Sequence, residues 1–456
     1  MPIASGSAHA EGVNRLLRSY RAIPTTATVR LAKPTSNLFR ARAKSTTPGL
    51  DTSGLTGVID VDPVNRTAEV AGMCTYEDLV AATLAHGLSP LVVPQLKTIT
   101  LGGAVTGLGI ESASFRNGLP HESVLEMDIL TGSGEIVTAA PDRLADLYRG
   151  FPNSYGTLGY SVRLRIQLEP VKPFVALRHI RFHNLDELVS VMESIVNTAA
   201  YEGESVDYLD GVVFAADECY LSLGALTAAP GPVSDYTGQR VYYRSIQHPD
   251  GISNDRLTIH DYLWRWDTDW FWCSRAFGAQ NPGIRRLWPR KYRRSSVYWK
   301  LIALDQRYDI ADRIERFNGR PARERVVQDV EVPISRTPEF LRWFLDEIPI
   351  EPVWVCPLRL RDSEGWPLYP IRPGQTYVNI GFWSSVPAGA VEGATNRLIE
   401  RKVSELGGHK SLYSESFYTR DEFEPLYGGE HYRTLKKTYD PDNRLLDLYA
   451  KAVRRQ

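Results

Sequence analysis

Cysteine is scarce in this chain, long apolar runs are absent, and neither sign of charge prevails. The four cysteines, Cys74, Cys219, Cys273 and Cys356, stand far apart, with no C-x-x-C and no Cys/His grouping at metal-ligand spacing. That pattern excludes a zinc or disulfide framework, implies no metal, and suits a reducing cytoplasm. No stretch approaches the roughly 18 consecutive apolar residues that a membrane-spanning helix needs. The opening MPIASGSAHAEG has neither the basic start nor the apolar core of a signal peptide, so a cytoplasmic protein is expected. Acidic and basic residues nearly cancel, 54 against 53, whereas dedicated nucleic-acid-binding domains are usually strongly basic. No internal repeat, low-complexity tract or nicotinamide-binding fingerprint is visible. What the chain does have is aromatic surface: ten Trp and 23 Tyr among 456 residues, which suits a large, flat or greasy ligand.

At roughly 150 residues per domain, the length allows two or three lobes. GVIDVDPVNRTAEVAG (57–72) reads as two short alternating strands around a turn. Thr75, with Asp78 three residues on, opens a helix predicted to run to about His86, where Gly87 offers the stop. LEMDILTGSGEIVTAA (125–140) is a second hairpin, DRLADLY (142–148) a short helix, and SVRLRIQLEPV (161–171) an alternating strand. This is an α+β texture rather than a series of βαβ repeats. Beyond Val171–Pro173 it changes to a strand, an amphipathic helix and long strands such as RVVQDVEVPI and YVNIGFW. The expected division is 1–171, 172–400 as a cap or substrate lobe, and a C-terminal segment 401–456.

The stretch TITLGGAVTGLGIES (98–112) puts four glycines within eight positions. A dinucleotide-binding turn needs G-x-G-x-x-G after a strand. Here Gly107-Leu108-Gly109-Ile110-Glu111-Ser112 lacks the third glycine, and Glu111 would set a negative charge where a pyrophosphate should lie. Two readings stay open: a nest of unhindered N–H groups for an anion, or a tight packing turn.

The wider order of segments resembles the flavin-binding domain of the vanillyl-alcohol oxidase (PCMH) type. Within it, GGAVTGLGIES, VVQDVEVP, PVWVCPLRL, YVNIGFW and SFYTRDEFEPLY, in that order, resemble the delta(24)-sterol reductase branch over roughly residues 25 to 450. The resemblance implies an α+β FAD-binding domain with an α+β cap. It implies that Thr100, Leu101, Gly102, Gly103, Ala104, Gly107, Gly109, Ile110, Glu111 and Ser112 lie along the FAD pyrophosphate. Gly156, Thr157, Leu158 and Gly159 of GTLGY would then approach the isoalloxazine. The usual glycine-rich first loop is AKPTSNLF (32–39) here, where Lys33, Ser36 and Asn37 can donate to phosphate oxygens. No histidine stands where some members bond FAD covalently, so FAD is expected to be held noncovalently. NADPH is the electron donor that the resemblance implies.

A reductase of this kind gives a hydride to one alkene carbon and a proton to the other. Protonating the less substituted carbon first leaves positive charge on a tertiary centre, so branched alkenes suit the reaction. No N-terminal anchor like that of the animal sterol enzymes is expected, and the chain resembles bacterial reductases that convert 10-methylene to 10-methyl fatty acyl groups. A methylene-branched fatty acyl lipid is therefore the expected substrate. The alternatives are a sterol side chain, a sugar or alcohol oxidised on the same fold, and a lipid-surface binding protein without catalysis. The proton donor must lie within hydrogen-bond reach of the alkene. Strand alternation in VVQDVEVP sends Gln328 and Val330 to one face and Asp329 and Glu331 to the other. The C-terminal segment adds Lys410, Tyr413, His431 and Tyr432, a lysine near the flavin being suited to anionic charge on its reduced ring.

From Trp270 to Leu304 there is no acid, while Arg275, Arg285, Arg286, Arg290, Lys291, Arg293, Arg294 and Lys300 are interleaved with eight aromatics. An anionic lipid surface suits that mixture. Single-stranded nucleic acid uses similar chemistry but is not the expected partner. The other reading is a solvated face over a buried aromatic stripe, or a homo-oligomer contact.

Overall fold

The computed structural model describes residues 6–33, 39, 40, 48–107, 109–308, 313 and 321–454. Ser36 and Asn37 lie outside them. Two antiparallel sheets with helices around them carry the chain, so the α+β expectation holds. In the first sheet, the hairpins Val58–Asp62/Thr67–Ala71 and Val124–Leu130/Ile136–Ala139 flank Tyr160–Pro170, which is bonded to both. Leu88–Pro90 pairs with the far end of the same strand. The Thr75 side chain accepts from the Asp78 N–H and caps the helix Tyr76–Leu84. That helix ends two residues before His86, in a turn closed by Gly87 at φ +68°.

The second sheet has eight strands in the order Ile252–Thr258, Phe174–Phe182, Glu218–Thr227, Tyr208–Ala215, Val353–Leu358, Tyr377–Pro387, Arg323–Pro333 and His409–Lys410. Period-two alternation gives it two unlike faces. Val326, Val330, Val355, Ile380 and Phe382 pack with the helices Leu185–Thr198, Thr337–Glu347 and Ala394–Glu405. On the opposite face, Trp354 and Trp383 share a core with Leu101, Val105 and Ile110 of the glycine stretch.

Three local features are specific to the structure. In the glycine stretch Leu101–Thr106 is a helical turn capped by Thr100, whose side chain accepts from the Gly103 N–H. The short helix expected at 142–148 forms at Ala145–Gly150, after Leu144 in the left-handed region. The segment around His431 is the helix Gly429–Tyr439.

Candidate active site

A cavity of about 630 Å³ lies against the glycine turn, the second sheet and the C-terminal segment. That volume falls within the range of small-molecule and cofactor sites. Gly102 and Gly103 serve it differently. A Cβ on Gly102 would meet Ser161 Oγ at 2.2 Å and the Gly72 carbonyl oxygen at 2.5 Å, so this glycine lets the turn sit directly on the first sheet. Around Gly103 the nearest atoms to such a Cβ are Thr100 Oγ1 at 2.8 Å and Lys33 Nζ at 3.9 Å, and the bare backbone faces the cavity. The packing reading and the ligand-approach reading of the glycines thus hold at adjacent positions.

Charge along the cavity is one-sided. Arg30, Lys33, Arg40 and Lys451 line it, and Asp329 is the one carboxylate among its described lining residues. Arg40 lies over the Tyr155 ring, and Tyr155 comes close to Gly107, which places a cation beside the glycine turn.

Asp329 lies at the aromatic part of the cavity. Its Oδ1 accepts from Asn379 Nδ2 at 2.9 Å, and its carboxyl is hydrogen-bonded to Tyr413. Gly381, directly across the ladder, makes room for it: a Cβ there would lie 2.5 Å from Asp329 Oδ1 and 2.6 Å from Trp383 Cη2. Burial pushes Asp329 up to about 6, against the opposing hydrogen bonds of Asn379 and Tyr413. Burial first, then the Asp329 charge, holds the Tyr413 phenol well above its ordinary range, so it keeps its proton. Tyr413 Oη also accepts from Trp383 Nε1 at 3.0 Å. The pair is a protonated phenol against a carboxyl that titrates near neutrality.

The aromatic wall is built from residues far apart in sequence. Phe271 stacks on Trp383 with ring centres 4.2 Å apart, and Phe39 contacts both Trp270 and Tyr413. Trp270 and Phe271 are consecutive left-handed residues, at φ 46° and 57°, a conformation rare for bulky side chains and concentrated at ligand sites. Flanking carboxylates hold that turn. Asp267 accepts from Lys97 N at 3.0 Å and Ser295 Oγ at 2.5 Å, while Asp269 accepts from Arg285 and Ser274. Beneath the wall, Asp210 Oδ2 accepts from the indole N–H groups of Trp354 and Trp266 and from Arg265, which also donates to Glu111.

Of the residues the sequence nominated, Asp329, Tyr413, Lys33, Thr100, Gly102, Gly103, Gly107, Gly109, Ile110 and Gly156 line this one cavity. The others do not. Gln328 faces the helices, donating to Asn396, because alternation turns it away from Asp329. Lys410 is buried in an ion pair with Glu400 at 2.9 Å and donates to the Glu415 carbonyl, so its charge is neutralised inside the C-terminal segment. His431 is exposed, and Tyr432 spends its hydroxyl accepting from Leu448 N at 2.9 Å. Leu101 and Ala104 point into the core on the inner side of the helical turn. Glu111 and Ser112 belong to the buried Arg265 network, hydrogen-bonded to each other and, through Ser112, to Tyr262. Thr157 bonds to the Ser154 carbonyl, Leu158 is core, and Gly159 is pressed against Ile129 and Leu130.

Sequence reasoning missed Arg40, Tyr155, Asn379, Trp354 and Trp383. Asn379 and Trp383 carried one usable signal: they share a face with Gly381 on the strand Tyr377–Pro387, opposite Asp329 and Glu331.

A family model for the FAD binding domain matches residues 25–140. The delta(24)-sterol reductase of Rattus norvegicus is 25% identical over 415 residues, 87% of this chain and 76% of that protein. The Arabidopsis thaliana enzyme of the same name is 24% identical over 451 residues, covering 88% and 76%. Cytokinin dehydrogenase 6 of Oryza sativa subsp. japonica is 32% identical over a shorter 145 residues, 32% of this chain and 27% of that one. The chain carries an FAD-binding domain and is similar to delta(24)-sterol reductases along most of its length. The cavity residues fit FAD. The cations Arg30, Lys33, Arg40 and Lys451 suit a diphosphate, Gly103 leaves the space a Cβ would fill, and the aromatic wall suits a flat ring system. Among the described residues no helix is long and apolar enough to cross a membrane, and no group of His, Cys, Asp and Glu could hold a metal.

Proposed function

We propose that the chain reduces a branched carbon–carbon double bond in a lipid, with NADPH as electron donor and a methylene-branched fatty acyl group as substrate. The supporting observation is the Asp329–Tyr413 pair on the wall of the same cavity that Gly103 and Lys33 line. FAD, when bound, supplies hydride transfer between nicotinamide and alkene. This chain's residues supply the rest. Tyr413 keeps its proton and lines the cavity; below about pH 6 a protonated Asp329 can donate to Tyr413 Oη, which frees the phenol proton for the substrate and replaces it as it is given up. Phe271, Trp383 and Trp270 exclude water from the site where positive charge develops on the more substituted carbon. The FAD-binding lobe is assigned to 1–171, the substrate lobe to 172–400, and 401–456 closes the cavity through Tyr413 and Lys451.

The names of the relatives favour a second reading, reduction of a sterol side chain. One experiment separates the two. The FAD-loaded protein is reduced anaerobically with NADPH and mixed in a stopped flow with methylene-branched phospholipid or with desmosterol. The proposal expects flavin absorbance to return fastest with the phospholipid. Faster return with desmosterol selects the sterol, and no return above buffer with either overturns lipid reduction.

A further inference from the structure

The aromatic, acid-free segment 270–304 divides into an inner and an outer part. Trp270, Phe271, Trp272 and Tyr298 are buried. Two of its cations are also consumed inside. Arg285 is buried against Asp269, and Arg293 donates to the carbonyls of Thr237, Gly238 and Trp288. Arg294 pairs with Glu77, and Arg290 with Asp235.

What is left outside is compact. The helix Pro282–Leu287 and the turn Arg290–Tyr292 expose Leu287 at 84%, Tyr292 at 47% and Ile284 at 45%. Leu287 is the most exposed large apolar side chain in this segment, and Arg286 and Lys291 flank it, exposed and without an ion pair among the described residues. The combination of apolar tips, an aromatic at the rim and unopposed cations matches an anionic bilayer, with negative headgroups outside and hydrocarbon just beneath.

The patch also connects to the cavity. Trp288 packs on Tyr298, and the next residue, Trp299, contacts both Trp270 and Phe39 on the cavity wall. Arg285 and Arg293 fix the base of this arm through backbone carbonyls, so it is held in place where it meets solvent. Resting on the lipid reading above, we infer that Ile284, Leu287 and Tyr292, with Arg286 and Lys291, form a docking surface for anionic phospholipid bilayers, which brings acyl substrate to the cavity.

The test is co-sedimentation of the FAD-loaded protein with vesicles of phosphatidylcholine alone or mixed with phosphatidylglycerol. Binding is expected on the mixed vesicles only, weakening with salt. Arg286→Gln and Lys291→Gln should each lower it about fivefold, and Leu287→Asp should abolish it. The FAD spectrum and unfolding midpoint should not change, because these side chains lie outside the core. Failure of the wild type to sediment with mixed vesicles overturns the surface. So does equal sedimentation of Leu287→Asp, or loss of a dimer in light scattering with no vesicle binding. Reoxidation by detergent-dispersed lipid is scored separately. A protein that binds mixed vesicles through this patch yet reduces neither lipid upholds the docking surface and overturns the reductase reading alone.

Discussion

At the scale of single residues, Asp329 is a group kept against the interest of the fold. Its carboxyl is raised to about 6 by burial, from an ordinary 3.8. A carboxyl raised on folding contributes stability that is present below its unfolded value and lost as pH rises through the folded one. The apo form of Asp329→Asn is therefore expected to unfold later than wild-type apo protein at pH 8, on the order of 3 kcal/mol, with the gap closing by pH 4. Urea melts at the two pH values check this, and an Asn variant less stable at pH 8 would show the carboxylate to be structural. The sequence made Asp329 visible because strand alternation separates it from Gln328. It could not rank Tyr413 above Tyr432, because that choice depends on which phenol meets Asp329 and which meets the Leu448 backbone.

At the scale of elements, the helical turn Leu101–Thr106 joins sheet to cavity. Alanine ordinarily stabilises a helix over glycine by about 1 kcal/mol. At Gly102 that gain should be reversed, because the new methyl meets the Gly72 backbone and Ser161, an overpacking worth about 1–3 kcal/mol. At Gly103 the methyl instead disturbs the Thr100 cap and enters the cavity. There, unfolding of apo protein should change by less than about 1 kcal/mol, while FAD affinity falls. Thermal melts with and without FAD separate the two variants, and equal loss of apo stability in both would contradict the account. The hairpins and the Thr75 cap were legible because turn residues and alternation are local signals. The aromatic wall was not, because Trp270, Trp354 and Trp383 meet only when three distant segments fold together. The run of aromatics and cations at 270–304 left open a lipid-facing surface or a solvated face over a buried aromatic stripe, and burial of Arg285 against Asp269 and of Trp270 and Trp272 turns half of it inward.

At the scale of the whole molecule, the cavity draws on both sheets and on the tail, so ligand binding should be felt throughout. Lys436 Nζ donates to the carbonyls of Thr157, Leu445 and Leu446, which pins the tail carrying Lys451 to the first lobe. FAD at about 100 times its Kd should add about 2.7 kcal/mol and move a single calorimetric transition upward. Two transitions, with only one shifted by FAD, would mean that the cavity belongs to one lobe. The central claim is that a buried acid on the second sheet serves the flavin cavity beside the glycine turn. Its most direct test is the single-turnover rate of flavin reoxidation by branched lipid across pH 5–9, in wild type and Asp329→Asn. The wild-type rate should fall as pH rises through about 6, and the variant should show a low, flat profile. An unchanged profile in Asp329→Asn would contradict it.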